Sequence, residues 1–324
     1  MPTPAPPLPL RDRIAHALHR LAGLRRPDLA LARRLGRRLS DRQYLALGHL
    51  AYFGRWPDYD QPRSFNEQVQ AYMLRCRSPW LKLAADKLAT REYVARTLGE
   101  EFLVALIGVW DDADDVPLMT LPRPSVVKTS VGSGQLGFLR VGVYTDLVEL
   151  RQNLRRWLAA DYGEQSREWA YRGLRNRVFA EAMLTGENGE LPADHKVYIV
   201  GGRVRFIQVD RGRFGRHTRN LYDADWNLLP ARLTLRRHAP DPRPPRLADM
   251  LAHSLTLAAP YECLRVDWYA QGERLYVGEL TNYPGAGFER FIPQAFALEM
   301  GRDWPTPAAA AAAADPPASA DPGA

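Results

Sequence analysis

The segments Leu264-Arg265-Val266-Asp267 and, twelve residues on from Asp267, Glu279 within Gly278-Glu279-Leu280-Thr281-Asn282 constrain this chain more than any other stretch. Leu264, Val266 and Trp268 alternate with polar residues, as do Leu275 and Val277, so both halves read as strands. Gln271-Gly272 between them marks a hairpin. Like charges on one sheet face repel unless a cation sits between them, and hard carboxylate oxygens suit Mg²⁺. The competing reading is a solvated outer face, the usual setting of charged strand residues. A two-residue Gln271-Gly272 turn pairs Asp267 with Tyr276 and sends Glu279 to the opposite face, while keeping Leu264, Val266, Leu275 and Val277 together. Joint ligation by Asp267 and Glu279 therefore requires a three-residue loop or a β-bulge.

With 324 residues the chain has room for two domains, and 46% hydrophobic with 25% charged residues is the composition of a soluble globular protein. Two cysteines, Cys76 and Cys263, imply no disulfide framework and fit a reducing compartment. The scattered histidines form no zinc motif. No apolar run reaches the length of a membrane span, and Phe102 to Trp110 reads as a buried strand. The opening MPTPAPPLPL lacks the regions of a signal peptide, so the expected location is the cytoplasm. The formal charge of +7 is concentrated between Arg11 and Arg42, where ten Arg face three Asp. Leu10, Ile14, Leu18 and Leu21 recur there at helical spacing, a basic amphipathic pattern that either packs on the protein or lies on an anionic membrane surface. Nucleic acid is not expected, because these arginines are not interleaved with stacking aromatics.

Further along, Ser64-Phe65-Asn66-Glu67 is a capping box for a helix to Cys76, and a second helix is expected from Lys82 to Leu98. Strands follow at Ser125 to Thr129 and Val178 to Leu184, with a helix from Arg151 to Ala160 between them. His195 to Val200 and Arg203 to Val209 form a hairpin closed by Gly201-Gly202, and Arg219 to Leu229 reads as another around Asp223. Leu247 to Ala258 is helical and leads into the first-named hairpin. Residues 1–9 and the Ala/Pro tail from 305 are low in complexity and expected to be disordered.

Gly132-Ser133-Gly134-Gln135-Leu136-Gly137 is a literal GxGxxG, but the residues after it look extended. Strand, glycine loop, strand is the arrangement of a flap that lays backbone N–H groups over nucleotide phosphates, and Lys128 on the preceding strand is a natural phosphate partner. An ordinary Gly/Ser turn beside a surface lysine explains the loop equally well. Strand Val178 to Leu184 has the character to offer backbone hydrogen bonds and an apolar wall to a base.

Taken in order, these pieces resemble the TupA-like branch of the ATP-grasp proteins, named for teichuronopeptide biosynthesis. The resemblance is carried by Ala85-Asp86-Lys87 with Arg91, Val127-Lys128 with Gly132-Ser133-Gly134, Arg167-Glu168-Trp169-Ala170-Tyr171, Ala180-Glu181, Asp194-His195-Lys196, Val204 to Val209, Leu264 to Asp267, and Gly278 to Thr281 with Pro284 to Phe288. It runs from about residue 60 to 302. What it implies is an α+β, ATP-grasp fold: two α+β subdomains whose antiparallel sheets clasp ATP. The expected layout is a basic helical segment over 10–60, a flap subdomain over about 100–180, a hinge at 181–185 and a metal-binding subdomain over 186–304.

By the same resemblance, Lys87 and Lys128 hold phosphates, Ser130 and Gly132, Ser133, Gly134 and Gln135 cover them, and Glu181, Met183 and Leu184 contact adenine through the hinge backbone. Asp267 and Glu279 ligate Mg²⁺, and Arg265 faces the transferred phosphate, with Lys128 and Lys196 as further catalytic cations. Most ATP-grasp enzymes carry Asn two residues after the metal glutamate; here Thr281 stands there and Asn282 follows, so both are candidates for the third ligand. Position 195 is His where Tyr or Phe is more usual. Gln208, Asp210, Arg211 and His217, with Lys196, are assigned to the acceptor side. The implied cofactors are ATP and Mg²⁺, and the implied reaction activates a carboxylate, small or glycan-linked, as an acyl phosphate that an amine attacks. A transferase or kinase acting on a sugar acceptor, and a non-catalytic membrane-docking module using residues 10–42, are the alternatives.

Overall fold

Serine side chains start the first two described helices. Ser40 and Ser64 each accept a hydrogen bond from the backbone three residues on, and the Gln43 and Glu67 side chains accept one from the cap N–H, giving two complete capping boxes. They open α1 (Asp41–Phe53) and α2 (Phe65–Arg75). A computed structural model describes residues 38–185, 191–212, 216–302 and 304–305. The N-terminal basic pattern up to residue 37 and the Ala/Pro tail from 306 lie outside the described residues.

The helix expected over Lys82 to Leu98 is two helices, α3 (Pro79–Ala85) and α4 (Lys87–Thr97), broken at Asp86. Asp86 is extended, its carboxylate caps the Leu88 N–H at 2.9 Å, and its backbone bridges to Val131. A side chain that prefers capping to helix interior thus interrupts the helical period and ties the chain to the glycine loop. The Phe102 to Trp110 run also departs from expectation. Glu100–Phe102 is a short 3₁₀ turn, and β1 (Leu106–Trp110) is an edge strand with Leu106 and Val109 exposed, not a buried one.

Two antiparallel sheets organise the rest. β2 (Ser125–Thr129), β3 (Leu136–Leu139) and β4 (Val178–Ala182) join β1 in the order β1-β4-β2-β3. Helix α5 (Leu147–Leu158) buries Leu150 and Leu154 among Val127, Leu139, Val178 and Ala180, a core of its own. The short α6 (Tyr162–Ser166) follows. The larger sheet has the order β10-β9-β5-β6-β7, formed by β5 (Asp194–Val200), β6 (Arg203–Arg211), β7 (Thr218–Tyr222), β9 (Cys263–Gln271) and β10 (Arg274–Thr281). β7 is followed by a tight turn in which the Asp223 carboxylate accepts the Asp225 and Asn227 N–H groups, with a single bridge back from Leu228 to Tyr222, which reduces the hairpin expected there. β8 (Arg232–Leu233) pairs with β11 (Phe291–Ile292).

Alternation gives the larger sheet two chemically different faces. Val197, Ile199, Ile207, Leu264, Val266 and Trp268 are buried in one large core with α1 to α4, α7 (Leu247–Ala258) and α8 (Gln294–Gly301). His195 shares this parity: it stands opposite Trp268 and near the Trp226 ring, on the core face and not in the polar face beyond it. Burial lowers its pKa, as fits a neutral ring in that position. Among the described residues, no helix is long and apolar enough to cross a membrane.

Candidate active site

The hairpin of β9 and β10 turns at Gly272-Glu273, one residue later than Gln271-Gly272, so that Arg274 pairs with Gln271 and Val277 with Trp268. Between Val277 and Glu279 the register shifts: Gly278 is the extra residue of a bulge, and Glu279 lands opposite Asp267. Glycine suits this position because a Cβ on residue 278 would lie 2.7 Å from the Tyr269 ring. The two acids that an unbroken ladder separates are thereby set side by side on the polar face.

Cations surround them. Arg265 grips Asp267 through Nε and Nη2 (2.6 and 2.8 Å) and lies 3.7 Å from Glu279. Lys196, opposite Asp267 across β5 and β9, bonds both that carboxylate and Asp194 (2.7 Å to the latter). Lys87, at the start of α4, reaches Glu279 at 3.5 Å and donates to the Gly132 carbonyl at 2.5 Å. Burial disfavours the Arg265 charge, yet Asp267 beside it wins and holds the guanidinium proton more tightly than usual.

A cavity of about 570 Å³ opens between the two sheets, lined by Lys128, Phe138 and Arg140 from the flap, Glu181 to Leu184, and Asp194, Asp210, Arg211 and Tyr269 from the larger sheet. Glu181 contributes a side chain as well as backbone: it pairs with Lys128 and, at 3.5 Å, with Arg91 of α4. The amides of Ala182 and Met183 are already donated to Ala105 and Pro124 (2.9 and 3.1 Å). This leaves the backbone at Leu184 as the part of the expected hinge best placed to meet a ligand.

Several residues expected as ligand contacts have partners within the chain. Ser130 is fully buried; its hydroxyl accepts from the Arg177 N–H (3.1 Å) and its carbonyl from the Lys87 N–H (2.9 Å), so it anchors the base of the loop. Gln135 folds back to accept from the Thr129 hydroxyl at 2.5 Å, while Ser133 and Gly134 are exposed at the tip. Just past β10, Asn282 donates to the Leu81 carbonyl at 2.6 Å and locks α3 in place. Thr281, by contrast, stands opposite Arg265 with a buried hydroxyl that has no hydrogen-bond partner among the described residues.

The residues assigned to the acceptor side are divided. Gln208 is buried between the Tyr198 hydroxyl (2.7 Å) and Asp210 (2.9 Å), and Asp210 is gripped by Arg219 (2.6 and 3.0 Å), with His217 at 3.4 Å. Burial works against the Asp210 charge, but His217 and Arg219 override it and hold the carboxyl far below its ordinary pKa. Arg211 is held by Asp241 at 2.5 Å and lines the same cavity as Leu184. Asp210 and Arg211 thus adjoin the hinge end of the site. Glu168, in the Arg167 to Tyr171 stretch that helps carry the resemblance, lies on the loop after α6 within electrostatic range of Glu279.

As a donor set, two adjacent carboxylates and an unpartnered hydroxyl fit a hard divalent cation, with ligand oxygens completing its shell. Among the described residues no group of three or more His, Cys, Asp or Glu side chains forms a metal cage.

Two antiparallel sheets with a cavity between them, a glycine loop on one and a cation-ringed acid pair on the other, define the ATP-grasp class of fold. The profile of the TupA-like ATP-grasp family matches residues 67–304, and the chain belongs to that family. A search of curated proteins returned no match. Among solved structures, an L-amino acid ligase from Bacillus licheniformis is 14% identical over 68% of this chain and 47% of its own, with a TM-score of 0.40. D-alanine–D-alanine ligase from Bacillus anthracis with ATP is 16% identical over 63% and 56%, with a TM-score of 0.38. The ATP-grasp ligase PsnB, complexed with a phosphomimetic variant of its minimal precursor, Mg and ADP, is 12% identical over 82% and 65%, with a TM-score of 0.37. The chain thus spans about half to two thirds of the length of these structures.

Proposed function

We propose that this protein is an ATP-dependent carboxylate–amine ligase that forms an amide through an acyl phosphate. The reading rests on the bulge at Gly278, which sets Glu279 against Asp267 beside Lys87, Lys196 and Arg265, with Lys196 in turn bonded to Asp194 of the inter-sheet cavity. Adenine would lie against Met183, Leu184 and Phe138, with its triphosphate directed past Lys128 toward the acid pair. Asp267 and Glu279, with Thr281, would hold Mg²⁺, whose charge offsets that of the β- and γ-phosphates.

Each cation of the site is paired with a carboxylate of the chain, so none is a bare buried charge. Lys128 leaves Glu181 for a phosphate oxygen with little movement, because Arg91 remains beside the glutamate. Lys87, tied to the Gly132 carbonyl, couples phosphate binding to the position of the loop. Arg265 fixes Asp267 and offers its remaining donors toward the transferred group. The γ-phosphoryl group passes to a substrate carboxylate oxygen with departure of ADP. The amine then attacks the acyl carbon, phosphate leaves, and the nitrogen loses its proton.

The family resemblance alone suggests assembly of surface polysaccharide or teichuronopeptide-type polymers, and the basic amphipathic pattern over residues 10–42 suggests a peripheral contact to the inner face of a membrane. Melting with and without Mg-ATP tests the central reading. A rise in Tm that Glu279→Ala abolishes supports it; no rise in the wild type, or an equal rise in the variant, rejects it.

A further inference from the structure

A second cavity, of about 140 Å³, is bounded by the end of α1, by α2, and by β11 with α8. It shares no lining residue with the cavity between the sheets. Its volume is room for a molecule of several heavy atoms, well beyond a single water. His49, Arg55, Asn66 and Arg290 stand there among the rings of Phe53 and Phe291, and no carboxylate lines the space.

His49 forms its inner end, since this side chain is fully buried and yet lines the cavity. Its Nδ1 lies 2.8 Å from the Gln70 side-chain oxygen, which also accepts from the Tyr59 hydroxyl at 3.0 Å. The Gln70 amide nitrogen is used elsewhere, on the Ala286 and Gly287 carbonyls. An acceptor facing Nδ1 assigns the ring proton to that nitrogen and leaves a lone pair on Nε2. Burial lowers the pKa of the ring, in keeping with the neutral form. Nε2 has no hydrogen-bond partner among the described residues. Gln70 holds the Nδ1 edge and does not line the cavity, so the other edge, with Nε2, is the one turned to it. A buried acceptor left this way costs stability unless a donor meets it.

The cations supply the complementary half. Arg55 is engaged by Glu67 at 2.5 Å and by the Ser64 hydroxyl at 3.4 Å. Arg290, at the exposed rim, donates to the Tyr52 carbonyl and lies over the Phe53 ring at 6.0 Å, and it has no carboxylate partner among the described residues. We propose that this cavity is a binding site for a small hydroxycarboxylate, whose carboxylate meets Arg290 and whose hydroxyl donates to Nε2 of His49. A guanidinium fork matches a carboxylate, and the two Phe rings offer apolar contact to a carbon skeleton, which an inorganic anion lacks. The assignment does not rest on the ligase reading, because none of these residues belongs to the site between the sheets.

Titration calorimetry of the full chain with L-lactate, D-glycerate and D-glucuronate, each compared with acetate, glycerol and inorganic phosphate, tests it. At least one hydroxycarboxylate should bind tenfold or more tightly than all three controls. Arg290→Met, at the rim, should weaken that binding fivefold or more. His49→Phe keeps a ring against Phe53 and should bring the hydroxycarboxylate down to the affinity of acetate. A cooperative melt checks that each variant folds, and if His49→Phe fails this check, Arg290→Met alone decides the location. The site is overturned if no hydroxycarboxylate binds, which leaves the cavity to water, or if a control binds as tightly. Binding unchanged in Arg290→Met, or a preference over acetate retained in a folded His49→Phe, overturns it as well.

Discussion

The two sheets face each other across one cavity but are built for opposite duties. The five-stranded sheet sets Asp267, Lys196, Arg265 and Asp210 on one face and backs them with a core reaching through α1 to α4, α7 and α8. The four-stranded sheet has a smaller core around α5, and Val141, Val143 and Tyr144, which follow β3, are exposed. A cluster of buried charges keeps its geometry only where the backbone beneath it cannot yield, since each ion must stay within hydrogen-bond distance of its partners. On the ligase reading the flap has a lighter task, to present backbone amides and one lysine, for which a thin core suffices. The larger charge cluster therefore belongs to the thick side, and the thin side carries only the smaller Lys128–Glu181–Arg91 group.

The sharpest way to break this comparison is to remove the acid at the centre of the charge cluster. Asp267→Ala leaves Lys196 and Arg265 buried without their shared partner and should cost about 3–5 kcal/mol in the ligand-free protein, measured by urea unfolding. Glu279 is a control on the same face. Its side chain is 29% exposed against 5% for Asp267, and its contacts are long, so Glu279→Ala should cost no more than about 1 kcal/mol. Equal losses from the two would mean that the network does not depend on its core.

Leu154→Ala probes the thin side. Leu154 is fully buried in the flap core, and its truncation should cost about 3 kcal/mol. Hydrogen exchange should then show β2 and β3 losing protection while β5 and β9 keep theirs. Uniform loss across both sheets would show that the two cores unfold as one.

An acid titration sharpens the comparison from the thick side. Burial raises the Glu67 carboxyl, but hydrogen bonds from Arg55 (2.5 Å) and from Ser64 outweigh it and bring its pKa from 4.5 to about 2. Because the folded value is the lower one, the stabilisation is complete above about pH 4.5 and is lost as pH falls from there toward 2. Glu67→Gln should cost about 3 kcal/mol at neutral pH, shrinking toward zero near pH 2. A pH-independent cost would show that capping geometry, not charge, holds α2.

These contrasts also explain what is legible in the chain and what is not. The α+β character, the hairpins at Gly201-Gly202 and around residue 272, and the family are legible, because alternation and turn residues are local signals. The bulge is foreseeable only as a condition, and the crowding by Tyr269 that excludes a side chain at Gly278 comes from across the hairpin. The break at Asp86 escapes because its cause, the bridge to Val131, lies over forty residues away. The partners that Ser130, Gln135 and Asn282 hold within the chain are not legible, because a hydroxyl or amide in a motif carries no record of them.

The smallest expected effect comes from the tip of the glycine loop, and its smallness is what makes it informative. Gly134 has a φ of +72° and nothing within 4 Å of where a methyl group would sit, so Gly134→Ala adds only the backbone cost of the left-handed region, about 1 kcal/mol. Gly132, at φ +115°, meets the Gln135 side chain at 2.9 Å, and its carbonyl receives Lys87, so Gly132→Ala disturbs packing and a site cation together. If the loop acts as a mobile cover, Gly134→Ala should leave Tm almost unchanged yet weaken Mg-ATP binding about two- to fivefold, with Gly132→Ala weakening it further. Titration calorimetry on the pair separates the cases. Unaltered affinity in both variants would remove the loop from the site, and the thin sheet would then hold its nucleotide through Lys128 and the hinge alone.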